Sequence, residues 1–199
     1  MRKITLFAAF ALVAFLSSQA IAATPTGLYD VIFGSATTSI SVQATNVQSQ
    51  TMTVQILDEN EEYVVNEKFA NKADFIKKYD LINLKDGEYQ LILNKSNCRI
   101  TQPFSIDGGY VQLSDLEKET FYFPVFKFRK GRLDVSVLSE KYGDITVNVL
   151  DEKEDVQFTD TASDVHHLQK RYNFSDLKYG KYRVEVIVNN EKFYYDIEK

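Results

Sequence analysis

Few side chains in this sequence have types and spacing suited to chemistry. His166 and His167 are the only histidines, and they are adjacent. Neighbouring side chains on a strand point to opposite faces, so the pair is expected to be a poor chelate. No Cys or further His stands from it at zinc spacing. The single cysteine, Cys98, has Lys95 and Arg99 close by. Cations can lower a thiol pKa, but nothing in that stretch resembles a catalytic base. A Gly-x-Ser-x-Gly elbow is absent too. Two acidic runs, Asp58-Glu59-Asn60-Glu61-Glu62 and Asp151-Glu152-Lys153-Glu154-Asp155, could supply oxygen ligands to Ca²⁺. They lack the glycine and the alternation of a Ca²⁺ loop, and Lys153 interrupts the second, so both read as solvated turns. The sequence therefore points to no catalytic, cofactor or metal site. A protein that is not an enzyme is the expectation.

Both acidic runs end matching segments. Val54-Gln55-Ile56-Leu57-Asp58-Glu59 recurs as Val147-Asn148-Val149-Leu150-Asp151-Glu152, displaced by 93 positions (147 − 54). Tyr79 to Tyr89 recurs as Tyr172 to Tyr182 with the same displacement and no gap. The offset also places Val42 on Val135, Leu93 on Val186 and Phe33 on Phe126. Such coincidence of apolar positions marks two homologous units. Their expected bounds are 23–106 and 121–199, joined by a connector at 107–120 that opens on Asp107-Gly108-Gly109 and carries a charged run.

Within each unit the hydrophobic period is two. Ile40-Ser41-Val42, Met52-Thr53-Val54-Gln55-Ile56 and Tyr89-Gln90-Leu91-Ile92-Leu93 alternate, and so do Leu133-Asp134-Val135, Ile145-Thr146-Val147 and Tyr182-Arg183-Val184. Alternation with β-branched and aromatic residues predicts strands wet on one face. The stretch Asp164 to Tyr172 could also turn as a helix, although its counterpart Phe75 to Tyr79 alternates as a strand would. Six or seven short strands in about 80 residues predict an all-β chain of two tandem antiparallel immunoglobulin-like sandwiches.

The most specific motif is Leu-Lys-x-Gly-x-Tyr, at Leu84, Gly87, Tyr89 and again at Leu177, Gly180, Tyr182. Leu closes one strand, Gly is expected to take a positive-φ turn, and Tyr opens the next strand. That is the layout of a tyrosine corner, whose phenol bonds back to upstream backbone. These residues are read as structural.

Val147-Asn148-Val149-Leu150-Asp151, Phe174 to Val184, and the ends Asn190-Glu191-Lys192 and Ile197-Glu198-Lys199 together resemble the type IX secretion C-terminal sorting domain of secreted Bacteroidetes-type proteins. Residues 52–106 resemble it more weakly. The hairpin glycine of that pattern is replaced here by Lys153 or Glu154, and its Asn-Gly-Lys turn lacks the glycine. The resemblance implies an immunoglobulin-like fold, a bacterial envelope setting and a sorting or anchoring role for the second unit.

Arg2 and Lys3, the apolar stretch Ile4 to Leu16 and the Ala20-Ile21-Ala22 site read as a signal peptide over 1–22. No Cys follows the site, so a lipid anchor is not expected. Removing Arg2 and Lys3 from 23 basic residues leaves 21 against 28 acidic ones, a net of −7. An acidic chain repels phosphate backbones, and no basic stripe stands out, so nucleic acid is not an expected partner. No segment after the signal is long and apolar enough to span a membrane as a helix. At 44% hydrophobic residues, with 12 Tyr and 14 Phe, the chain can build a core. Surplus rings at Phe121-Tyr122-Phe123 and Phe193-Tyr194-Tyr195 could pack between the units, meet a protein or stack on a glycan. The sequence thus reads as an exported protein of the periplasm or cell surface, structural or protein-binding, its partner an unknown protein or cell-surface component. Sorting and glycan binding are the alternatives.

Overall fold

The alternating stretches become strands because only that geometry buries every second residue while leaving its neighbours wet. The computed structural model describes residues 31–44, 50–72, 75–114 and 117–199. The expected signal and its cleavage site lie outside these residues. Seven strands build the first sandwich: β1 (Val31–Ala36), β2 (Ser39–Ala44), β3 (Gln50–Leu57), β4 (Tyr63–Lys72), β5 (Phe75–Asp80), β6 (Gly87–Asn94) and β7 (Cys98–Asp107). One sheet has the order β1-β2-β5 and the other β4-β3-β6-β7, all antiparallel. This is an immunoglobulin-like arrangement. Ile40, Val42, Val54, Ile56, Leu91, Leu93 and Phe104 fill the space between the sheets.

The second sandwich repeats the pairing register with the sequence offset. Phe33 faces Val42 and Phe126 faces Val135; Ile40 faces Tyr79 and Leu133 faces Tyr172. Val54 lies between Glu67 and Leu93, and Val147 between Asp160 and Val186. A slip of one residue would expose the whole core face, so equal register means equal cores. Leu133, Val135, Val147, Val149, Val184 and Val186 form the second one.

Two features differ from the sequence reading. In the second unit the strands run together: β11 (Arg132–Leu150) carries the counterparts of β2 and β3, and β12 (Val156–Asn173) those of β4 and β5. Asp164 to Tyr172 is strand. The register breaks between Leu138 and Ile145, where each long strand passes from one sheet to the other. Buried Ser139 holds that bend, bonding through Oγ to both the amide and the carbonyl of Lys141 and accepting from Asn189 Nδ2 at 3.1 Å. β10 (Val125–Arg129), β13 (Lys181–Val188) and β14 (Glu191–Glu198) complete the unit.

The stretch read as a connector is itself sheet. β8 (Tyr110–Leu113) and β9 (Glu119–Tyr122) both pair with β7. Gly108 and Gly109, at φ +56° and +78°, make the β7–β8 turn, and the Asp86 carboxylate accepts both their amides. Val111 enters the first core, because Tyr110-Val111-Gln112-Leu113 alternates like the strands before it.

Candidate functional site

The Leu-Lys-x-Gly-x-Tyr motifs sit at equivalent corners. Tyr89 Oη donates to the Lys85 carbonyl at 2.8 Å, and Tyr182 Oη to that of Lys178 at 3.0 Å. The Tyr89 ring stacks on Phe104 at 5.3 Å, and Tyr182 meets Phe174 edge-on at 6.0 Å. Leu84 and Leu177 pack against the first and second cores. Burial pushes the Tyr89 phenol pKa up, with Asp58, Glu59 and Asp86 adding to it. Gly87 opens β6 and Gly180 stands just before β13, both at the positive φ expected of the motif, +157° and +156°, a backbone conformation that L side chains rarely adopt. The reversal itself is made upstream. There Asp80 Oδ1 accepts the Ile82 amide at 3.1 Å and Asn173 Oδ1 accepts that of Ser175 at 3.0 Å.

The acidic runs are hairpin turns whose first carboxylate is occupied by backbone. Asp58 Oδ1 accepts the amides of Asn60 and Glu62 at 2.9 and 3.0 Å. Asp151 Oδ1 accepts those of Lys153 and Asp155 at 2.8 and 3.1 Å. Glu61 and Glu154 stand in the left-handed region at φ +62° and +63°, a conformation that glycine adopts without strain. Cys98 is buried, and burial raises its thiol pKa against the smaller opposing pull of Lys95. The histidines do not obey strand alternation. The bend beside them brings their rings to 4.9 Å, and His166 stacks on Tyr142 at 4.9 Å. Among the described residues no group of three or more His, Cys, Asp or Glu is placed to hold a metal.

A polar triad, not read from the sequence, recurs in both units. Glu67 accepts from Lys77 Nζ at 3.1 Å and from Tyr79 Oη at 3.2 Å. Asp160 accepts from Lys170 Nζ at 2.8 Å and from Tyr172 Oη at 2.8 Å. The hydrogen bonds from Lys170 and then Tyr172 hold the Asp160 carboxyl below its ordinary pKa. Desolvation, more than the nearby carboxylate, pushes both phenols up. The signal was present, since all three positions match at the common offset, but Glu67 lies on β4 and its partners on β5, which pair with different strands.

The surplus aromatic rings meet where the units join. Tyr122 on β9 packs against the first core, while its neighbour Phe121 packs against the second. Phe121 stacks on Phe193 of β14 at 5.5 Å, and Phe123 lies 6.1 and 5.9 Å from those two rings. The Arg99 guanidinium lies over Phe121, 5.4 Å from its centroid, and forks onto Glu191. Glu140 accepts the Thr120 amide at 3.0 Å, and Lys141 pairs with Glu119 at 2.5 Å. Beside these contacts lies an open polar cleft of about 380 Å³. Tyr194 stays more than half exposed, its hydroxyl donating to Glu185 at 3.2 Å.

No family model and no curated protein matches the chain. Among solved structures it is similar to a segment of two fibronectin type-III domains from chicken tenascin, at 10% identity over 86% of this chain and 98% of that one, TM-score 0.31. The BSP domain of a biofilm-associated protein matches at 14% identity over 83% of this chain and 28% of that one, TM-score 0.27. The FN1–FN3 domains of chicken CNTN1 match at 10% over 85% and 63%, TM-score 0.29. These superpositions are loose, and the tandem immunoglobulin-like fold stands on the strand order and register given above. Among the described residues, no helix is long and apolar enough to cross a membrane.

Proposed function

We propose that this chain is a non-enzymatic, exported envelope protein whose two sandwiches, handing over within β9, form a stiffened spacer that presents its sheets to a protein or cell-surface partner. The observation that carries this reading is the joint. One four-residue strand gives Tyr122 to one core and Phe121 to the other, so bending between the units must strip rings from a core. A loose tether would need no such stitching. The groups best suited to chemistry are engaged elsewhere: Asp58 and Asp151 hold turns, and burial keeps the Cys98 thiol protonated.

The type IX resemblance offers a sorting role for the second unit as the competing reading. Fractionation of the producing bacterium, with mass spectrometry of both termini, separates the two. The spacer reading expects a protein that starts at Ala23, carries no lipid, retains Lys199 and is found in the periplasm or at the surface. Loss of residues beyond about 120 on export would favour sorting, and a cytoplasmic product starting at Met1 would overturn export.

A further inference from the structure

Strands β10, β11 and β12 of the second unit carry a basic face. They align Lys127 with Asp134 and Arg171 in one cross-strand row, and Arg129 with Arg132 in the next. Lys130 adds a cation at the turn, and the six residues line an open depression of about 410 Å³. Five cations and one carboxylate leave four positive charges here, on a chain whose net charge is −5. This corrects the sequence reading, in which no basic stripe stood out: the acidic overall charge masked Lys127 to Arg132, four cations in six residues.

The first unit serves as an internal control. At the common offset its positions are Gly34, Ala36, Thr37, Ser39, Ser41 and Lys78, a single cation among six. The same sheet therefore forms without the charges. Arg129 sits directly opposite Arg132, and like charges so placed oppose strand pairing. Folding alone does not account for such an arrangement. A ligand does.

We propose that this face binds an acidic polysaccharide, one whose sugar rings bear carboxylate or sulfate groups. Planar guanidinium forks at Arg129 and Arg132 match such groups in bidentate fashion. Asp134 stands between the cations, forked by Arg171 at 2.5 and 2.9 Å, with lone pairs left to accept sugar hydroxyls. A ligand carrying acids and hydroxyls together suits that mixture. The lining has no aromatic ring on which the unpaired bases of a nucleic acid could stack. Lys127 and Arg129 share one face of β10, about 6.6–6.8 Å apart along the strand, and Lys130 follows at the turn, so an extended chain lying along β10 meets the first two in turn and the third at its end. The assignment goes beyond the spacer reading and depends on neither export nor the joint.

The test uses the full chain without residues 1–22, on immobilised heparin and polygalacturonate, with dextran, single-stranded DNA and phosphatidylglycerol vesicles as comparators. Retention on at least one acidic polysaccharide is expected, and none on dextran. Arg129→Ala with Arg132→Ser, which installs the first unit's residues, should weaken binding at least tenfold without lowering the melting temperature. Lys127→Gln should weaken it severalfold and serves as the second variant should the double one fold poorly. Lys68→Ala with Lys85→Ala removes the same charge elsewhere and should leave binding unchanged. The proposal is overturned by failure to bind either polysaccharide, by equal losses in both double variants, or by equal or tighter binding to DNA or vesicles.

Discussion

Neighbouring residues of β9 should destabilise different units. Phe121→Ala removes ring contacts with Phe193 and Phe123 and the cover of Arg99. Aromatic pairs contribute about 0.5–1.5 kcal/mol each beyond burial, and an exposed cation–π contact about 0.5–1. Phe121 is only half-buried, so the low end applies and the loss is about 2 kcal/mol, roughly a thirtyfold change in the opening equilibrium. That loss falls on the second core. Tyr122→Ala deletes a half-buried ring from the first core, at a similar cost of about 2 kcal/mol, below the roughly 3–5 of a fully buried aromatic. Native-state hydrogen exchange read by mass spectrometry resolves the units. Phe121→Ala should speed exchange of the most protected amides in 132–150 and 181–198, and Tyr122→Ala those in 87–107. If both variants loosen the same unit, the division of β9 between two cores is wrong.

Tyr89→Phe and Tyr182→Phe each delete one phenol-to-carbonyl bond. Each should cost about 0.5–1.5 kcal/mol, lowering that unit's thermal midpoint by several degrees; unchanged melts would mean that the corner bond contributes nothing. A Cβ at Gly87 would meet only Tyr89 Cε2 at 3.9 Å, so Gly87→Ala should cost about 1 kcal/mol from backbone conformation alone, measured by urea unfolding. Glu61→Gly and Glu154→Gly should each stabilise by roughly 0.5 kcal/mol, because left-handed strain of about 1–2 is relieved while the unfolded chain gains freedom; a fall in the urea midpoint would contradict this. The folded Asp160 carboxyl titrates below its unfolded pKa of about 3.9, so its stabilisation is complete above that pH and is lost as pH falls through the lower folded value. Asp160→Asn should therefore reduce stability at pH 7 and flatten the acid limb of the stability profile.

The sheet architecture was legible because burial imposes a period of two, and two copies of one pattern reinforce each other. Val54 and Val147 could be set equivalent before any strand was paired. What stayed hidden depends on contacts between distant strands or on local breaks in the period. The Ser139 bend displaces the His166 and His167 rings from opposite faces, and no residue type announces such a bend in advance. β8 was overlooked because a Gly pair and a charged run outweighed a four-residue alternation. Arg99 and Glu191 are 92 positions apart and become partners only when β9 brings the units together. For Gly87 the motif indicated a corner but not where the chain reverses, since the turn depends on Asp80, seven residues earlier.

The repeat itself separates what the fold requires from what is particular to one copy. Corner tyrosines, turn aspartates and the Lys–Tyr–carboxylate triad occur at matching positions in both units, with matching bonds. The same bond formed at matching positions in both units indicates that it serves the sandwich. The joint and the basic face fail that comparison. Arg99 of the first unit reaches Glu191 across the joint, whereas its counterpart Lys192 pairs with Glu185 inside its own sheet at 3.0 Å. The strand pairs that carry Gly34, Ala36 and Ser39 in one unit carry Lys127, Arg129 and Arg132 in the other. Differences maintained on an otherwise repeated register are where the two copies have taken separate work. The joint and the basic face are thus where the two units differ, and neither difference disturbs the pairing that holds the cores.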